Sequence, residues 1–172
     1  MSSSKLLPAA LLLLLTGCGF QPLYGDHSAG AGNVSHEMAT VAIPIIPERI
    51  GQMVRNELID TMTPHGQPGA PSYVLRVQLK EASDTQTLRF DSTASRVRYT
   101  LRAQFQLLAG DQLISDGNAR SVVSYDLPGA SGYYYTSVAA QREAEQQAAL
   151  DVAQQIKTRV AVLIAKRASS KP

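Results

Sequence analysis

The stretch from Val97 to Leu107 alternates without a break: Val97, Tyr99, Leu101, Ala103, Phe105 and Leu107 are apolar, and Arg98, Thr100, Arg102, Gln104 and Gln106 between them are polar or basic. A period of two sends successive side chains to opposite sides of a pleated strand, so this segment demands a sheet with one buried and one open face. Tyr73, Leu75, Val77 and Leu79 repeat the pattern against Arg76, Gln78 and Lys80. The apolar side needs a cover, and two segments of the chain have the helical period to provide it.

In the first, Ile50, Val54, Leu58 and Met62 recur every four residues with Met53 beside them, while Arg55, Asn56 and Asp60 point away. Pro47 suits the first turn of that helix, Glu48 complements its positive end, and Pro64 ends it. The second runs from Val138 to about Arg167 without Gly or Pro, and Ala148, Val152, Ile156, Val160 and Leu163 form its stripe. Thr136 or Ser137 is the expected N-cap. Acids gather toward its start and bases toward its end, in accord with the helix dipole, and ~30 residues make a rod of ~45 Å.

Short elements fill the gaps. Met38 to Ile46 reads as a strand with Val41, Ile43 and Ile45 on one parity, ended by Pro44 and Pro47, and residues 65–71 are loop by composition. Leu88 and Phe90 break the parity of the flanking strands, which implies a bulge or a hairpin tip leaving the sheet, with Asp91-Ser92-Thr93 as the turn. Ala109-Gly110-Asp111 is a tight turn, and Gln112 to Tyr125 a fourth strand weakened around Asp116-Gly117-Asn118. The order β-α-β-β-β-α predicts an α/β (α+β) two-layer sandwich: a four-stranded mixed sheet with two helices on one face, begun by a right-handed parallel crossover.

The N-terminus is of another kind. Lys5 precedes the ten apolar residues Leu6 to Leu15, a signal-peptide length and well short of the roughly 20 residues that span a bilayer. Leu15-Thr16-Gly17-Cys18 resembles the lipobox of bacterial lipoproteins, in which the thiol is alkylated by a diacylglyceryl group and becomes the new N-terminus. Cys18, the single cysteine of the chain, is therefore the expected lipidation site, and several acyl chains at ~0.8 kcal/mol per methylene make a durable anchor. Gly19 at the second position resembles the pattern for release to the outer membrane. The expected organisation is a removed signal at 1–17, a lipidated N-terminus and flexible tether at 18–37, one domain at 38–168 and a frayed tail at 169–172.

Removing Lys5 with the signal lowers the formal net charge from +2 to +1, so net charge names no partner and placement has to. Nucleic acid is a poor partner for such a chain outside the cytoplasm. Enzyme motifs fail on context: Ser2-Ser3-Ser4-Lys5 lies in the signal, Gly30-Ala31-Gly32 lacks a third glycine, and His27, His36 and His65 fall in loops without metal-ligand spacing. Asp84, Asp91, Asp111, Asp116 and Asp126 sit at or near turns, where Asp is favoured locally. No cofactor or catalytic residue is expected. What remains is a basic strand face and tip, Arg76, Lys80, Arg89, Arg96, Arg98 and Arg102 with Phe90 near the turn. It suits either an anionic, phosphorylated ligand or partner, or a solvated face whose charges deter aggregation. Tyr133-Tyr134-Tyr135 is either a staple onto the long helix or an interface.

Cys18-Gly19-Phe20-Gln21-Pro22-Leu23-Tyr24-Gly25, the Val41-Ala42-Ile43-Pro44 strand leading into Arg55-Asn56-Glu57-Leu58, and the late Ala-rich helix together resemble the LptE family of lipopolysaccharide-assembly lipoproteins of alphaproteobacteria. The resemblance implies a non-enzymatic outer-membrane lipoprotein that faces the periplasm, plugs the lumen of the β-barrel LptD and binds lipopolysaccharide through basic residues. Arg89, Arg96 and Arg98 are the expected ligand contacts, with Arg102 and Lys80 beside them; Phe90 and Tyr133, Tyr134 and Tyr135 are the expected interface residues. The alternative in the same compartment is a lipoprotein that docks on a different transport or envelope machine.

Overall fold

The computed structural model of the chain describes residues 31–87, 94–128 and 134–169. Its elements are α1 (Ala31–Met38), β1 (Val41–Ala42), α2 (Glu48–Met62), β2 (Tyr73–Thr87), β3 (Ala94–Ala109), β4 (Gln112–Pro128) and α3 (Tyr134–Ser169). The four strands form one sheet in the order β1-β2-β3-β4, with β1 parallel to β2 and the other pairs antiparallel. This is the expected mixed sheet with helices on one face, preceded by one additional helix.

The alternation of β3 translates directly into burial. Val97, Tyr99, Leu101, Ala103, Phe105 and Leu107 are buried, and Arg96, Arg98, Arg102, Gln104 and Gln106 are exposed. Thr100 alone departs, being buried on the polar side. From α3, Ala148, Val152, Ile156 and Val160 are buried as their spacing predicts, with Ile164 below Leu163, which is only partly covered. The buried line keeps its four-residue step from Val160 to Ile164. Ala149, Ala153 and Ala161 bury a second, small-residue line, so α3 packs on the sheet and on α2 at once. The α2 stripe of Ile50, Val54, Leu58 and Met62 is buried throughout.

Several expectations need correction. The flexible tether does not extend to Glu37: residues 31–38 are helix α1, and Val34 and Met38 join the core. Only two residues of the first strand pair, and Ile45 is 82% exposed while Ile46 is buried. Pro44 has no N–H for a ladder, so the chain leaves the sheet there and its parity is lost. Arg55 does not simply face water: its Nε donates to the carbonyl oxygens of Ile43 (3.0 Å) and Pro44 (3.1 Å) and holds this turn. Glu48 takes a left-handed φ of 66° at the entry to α2, a strained value for a residue with a Cβ. Thr136 and Ser137 do not cap α3; they lie inside it.

Pairing of β2 with β3 is regular through Thr87 and Ser95, so no bulge precedes the tip, and residues 88–93 lie outside the described residues. The irregularity falls instead between β3 and β4, where Leu107 faces Ser115 and Leu108 faces Leu113, leaving Ile114 as the extra residue of a bulge. The β3–β4 turn places Gly110 at its first central position with φ 57°, the glycine position of a II′ hairpin. β4 is continuous through Asp116-Gly117-Asn118. Gly117 faces Phe105, and a Cβ there would lie 2.5 Å from the ring's Cζ, so the glycine is a seat for the ring and not a break in the strand. Gly117→Ala should therefore lower stability by about 1–3 kcal/mol in a denaturant titration. Adding Phe105→Leu, which withdraws the ring, should make the glycine change milder than it is alone.

Candidate functional site

Even-numbered residues of β2, of β3 and of β4 beyond the bulge share the face that no helix covers. Cross-strand register sorts them into rows: Gln78, Gln104 and Asn118; Lys80, Arg102 and Arg120; Ala82, Thr100 and Val122; Asp84, Arg98 and Ser124; Gln86, Arg96 and Asp126. The second row is three cations side by side, all exposed. Among the described residues, none of these three side chains makes an ion pair or a hydrogen bond. The rows on either side carry no acid. With strands ~4.8 Å apart, the row spreads three positive charges over ~10 Å, and like charges directly opposite one another oppose folding.

The tip is arranged differently. Arg96 donates from Nε to Asp126 Oδ1 (2.7 Å) and from an Nη to Oδ2 (3.2 Å), a bidentate pair between exposed side chains. That hydrogen bond holds the Asp126 carboxyl below its usual range and raises Arg96. Arg98 lies opposite Asp84 on one side and Ser124 on the other. The structure thus separates the expected basic residues. Arg96 is neutralised, Arg98 has an acid across the ladder, and Lys80 and Arg102 join Arg120 in the uncompensated row. Arg89, Phe90 and Tyr133 lie outside the described residues, as does Cys18; Tyr134 and Tyr135 are the first residues of α3.

The sequence reading did not include Arg120 and took Asp126 only as a turn residue, because a fourth strand weakened around residues 116–118 was given no parity. The signal is nonetheless present, since Asn118, Arg120, Val122, Ser124 and Asp126 alternate with Ala119, Ser121, Val123 and Tyr125.

On the covered side, where the sheet runs past the core, polar groups replace apolar ones. The Tyr99 hydroxyl donates to Glu81 Oε2 at 2.5 Å, Arg49 of α2 forms an ion pair with buried Glu145 of α3, and Gln141 Nε2 donates to Glu145 Oε1 at 2.8 Å. Ser121 donates to Asp151 at 2.9 Å. The Ser121–Asp151 bond ties α3 to β4, Arg49–Glu145 joins the two helices, and Tyr99–Glu81 links β3 to β2. Two clefts of about 290 and 250 Å³ lie between β4 and α3, and neither is lined by a histidine. No group of metal-ligating side chains occurs among the described residues, and none of their helices is long and apolar enough to cross a membrane.

The family model described as LptE, lipopolysaccharide-assembly, matches residues 38–160. The chain belongs to the LptE family. Its fold is also that of two solved lipoprotein structures. One, from Caulobacter crescentus, is 20% identical over 78% of this chain and 97% of its own, with a TM-score of 0.57. The other, a minor lipoprotein from Acinetobacter baumannii, is 19% identical over 71% of this chain and 91% of its own, with a TM-score of 0.50. No curated protein sequence matches.

Within this LptE domain, Tyr99 couples stability to pH. Burial first, and then the hydrogen bond to Glu81, raise its pKa far above the ordinary 10.0. A group that keeps its proton longer in the folded state contributes fully below its unfolded pKa, and the contribution is lost as pH rises beyond that value. Thermal melts between pH 8 and 11 should show a loss of stability above about pH 10. Tyr99→Phe should flatten that loss.

Proposed function

We propose that this LptE protein is a non-enzymatic, lipid-anchored subunit of the lipopolysaccharide translocon in the outer membrane. In this reading Cys18 carries the anchor and residues 19–30 lead to the domain. The domain faces the periplasm and sits within the lumen of a β-barrel of the LptD type, where it assists delivery of lipopolysaccharide to the cell surface. Membership of the family over residues 38–160 carries the proposal. The uncompensated row supports it. Lys80, Arg102 and Arg120 present charge, and the two arginines bidentate geometry, to phosphate groups, with Arg98 and Arg89 extending the basic strip toward the tip. Arg96, already engaged by Asp126, is a secondary contact. Phe90 and the tyrosines Tyr133, Tyr134 and Tyr135 are proposed as barrel-facing residues.

Binding of the soluble chain lacking residues 1–18 to purified lipopolysaccharide tests the ligand. Replacing Lys80, Arg102 and Arg120 together by Glu should abolish binding without unfolding the domain. Arg102→Lys with Arg120→Lys should weaken it less, since charge is kept and only the planar fork is lost. Wild-type binding should fall with added salt, because exposed charges are screened over ~8 Å at physiological ionic strength. Full binding by a folded triple-Glu variant contradicts the assignment of this face.

A further inference from the structure

Side chains of α3 strap the middle of the β4 edge. Gln155 satisfies both backbone groups of Arg120, accepting from the N–H at 3.3 Å and donating to the carbonyl at 2.9 Å, and Arg159 donates to the carbonyl oxygen of Asn118. The straps stop at Gly117, and toward the hairpin the larger of the two clefts begins, with a volume of about 290 Å³. Its floor is the ring of Phe105, which lies against the glycine, and its helical wall is formed by Val162 and Leu163. Val162 is 42% exposed there although it is apolar.

The polar groups of the lining are satisfied, with one exception. Thr158 donates its hydroxyl to the carbonyl of Gln154 at 2.9 Å, and Ser115 donates to that of Asp116 at 3.4 Å. Asp116 itself has the parity of the open face, opposite Gln106. The exception is Arg159: one Nη is held by Asn118, and among the described residues the rest of its guanidinium makes no ion pair or hydrogen bond. A cleft with apolar walls and one pinned cation at its mouth selects an amphiphile. A polar group set against those walls loses water without gaining a partner, a hydrocarbon chain gains with each methylene it buries, and the guanidinium favours an anionic head. The volume is at the small end of ligand sites and suits one chain.

Position connects the cleft with the cation row. Arg120 follows Gly117 by three residues, ~10 Å at the rise of a strand, and Arg159 is tied to Asn118 between them. An anionic head over Arg159 and Arg120 can therefore pass its chain around the β4 edge into the cleft. We infer that this cleft is an acyl-chain site, taking a single chain of the phosphorylated lipid whose phosphate meets Lys80, Arg102 and Arg120. The inference deepens the lipopolysaccharide reading above and rests on it for the identity of the lipid. Lipopolysaccharide joins phosphate groups to acyl chains, so ligand and site correspond in both parts.

The test uses the chain from residue 19 onward, which holds every residue of the buried core, and hexyl, octyl and decyl phosphate below their micelle concentrations, with binding read by calorimetry. Affinity should rise about three- to fourfold per methylene. Val162→Asp places a charge at an exposed position of the wall; it should abolish the dependence on chain length, weaken decyl phosphate at least about tenfold and leave inorganic phosphate unaffected. Val162→Trp, which fills the cleft with an apolar side chain, should act in the same direction. Arg159→Gln should weaken all three alkyl phosphates by a similar factor, about three- to tenfold, and keep the slope. Decyltrimethylammonium should bind at least about tenfold more weakly than decyl phosphate.

An affinity that is constant along the series overturns the acyl site, and so does a slope that survives in both folded Val162 variants, since the chains then lie elsewhere on the surface. Equal binding of the ammonium overturns the anionic head. Purified lipopolysaccharide separates the two claims. If it binds wild type and Val162→Asp equally and the alkyl phosphates show no slope, the cleft is overturned and the lipopolysaccharide reading stands. If it does not bind wild type while the slope is present and lost in Val162→Asp, that reading fails and the cleft is an acyl site for another anionic amphiphile.

Discussion

The packing of α3 against β3 is the contact on which the rest of the structure depends. Phe105, Leu101 and Leu107 face Val152, Ile156 and Val160 within one fully buried cluster, and each large side chain withdrawn from water contributes about 1.5–3 kcal/mol. Because one helix lies on the sheet and on α2 at once, covering the apolar side requires nothing on the other side. The second face of the sheet is released from any duty in the core. It can hold a row of cations whose mutual repulsion a two-sided core would not tolerate.

The long periodic elements were legible because their burial follows from side-chain direction alone. Alternation in β2 and β3 and the stripes of α2 and α3 specified the layers, the topology and the open face. Where one or two residues decide the outcome, the pattern was too short to read. In α1 the apolar contact consists of Val34 and Met38, a single i,i+4 pair in a Gly- and Ser-containing stretch whose composition reads as linker. At Pro44 one missing N–H exchanges the roles of Ile45 and Ile46. Gly117 has the composition of a break and the function of a seat for Phe105.

Of the candidate site, the open basic face was legible and the pairing among its members was not. Basic residues on an open face were visible in the alternation, and Lys80 and Arg102 belong to the row that stays uncompensated. Which arginines are free depends on partners about thirty residues away in the chain: Asp126 removes Arg96 from the basic set, and Arg120 enters it. Cross-strand neighbours of that separation are fixed by register, and register here turns on the bulge at Ile114, which has no local signature.

The central claim is that the row Lys80, Arg102 and Arg120 is kept at the expense of the fold's own stability, as expected of groups that serve a ligand. Thermal unfolding of the lipid-free domain at low and high salt, with and without Arg102→Gln, tests it most directly. Removing the middle charge relieves repulsion on both sides, so the variant should melt at a higher temperature than wild type at low salt, and the difference should shrink as salt screens the row. A variant that melts at a lower temperature than wild type at low salt would show that Arg102 serves the fold, and would contradict the account.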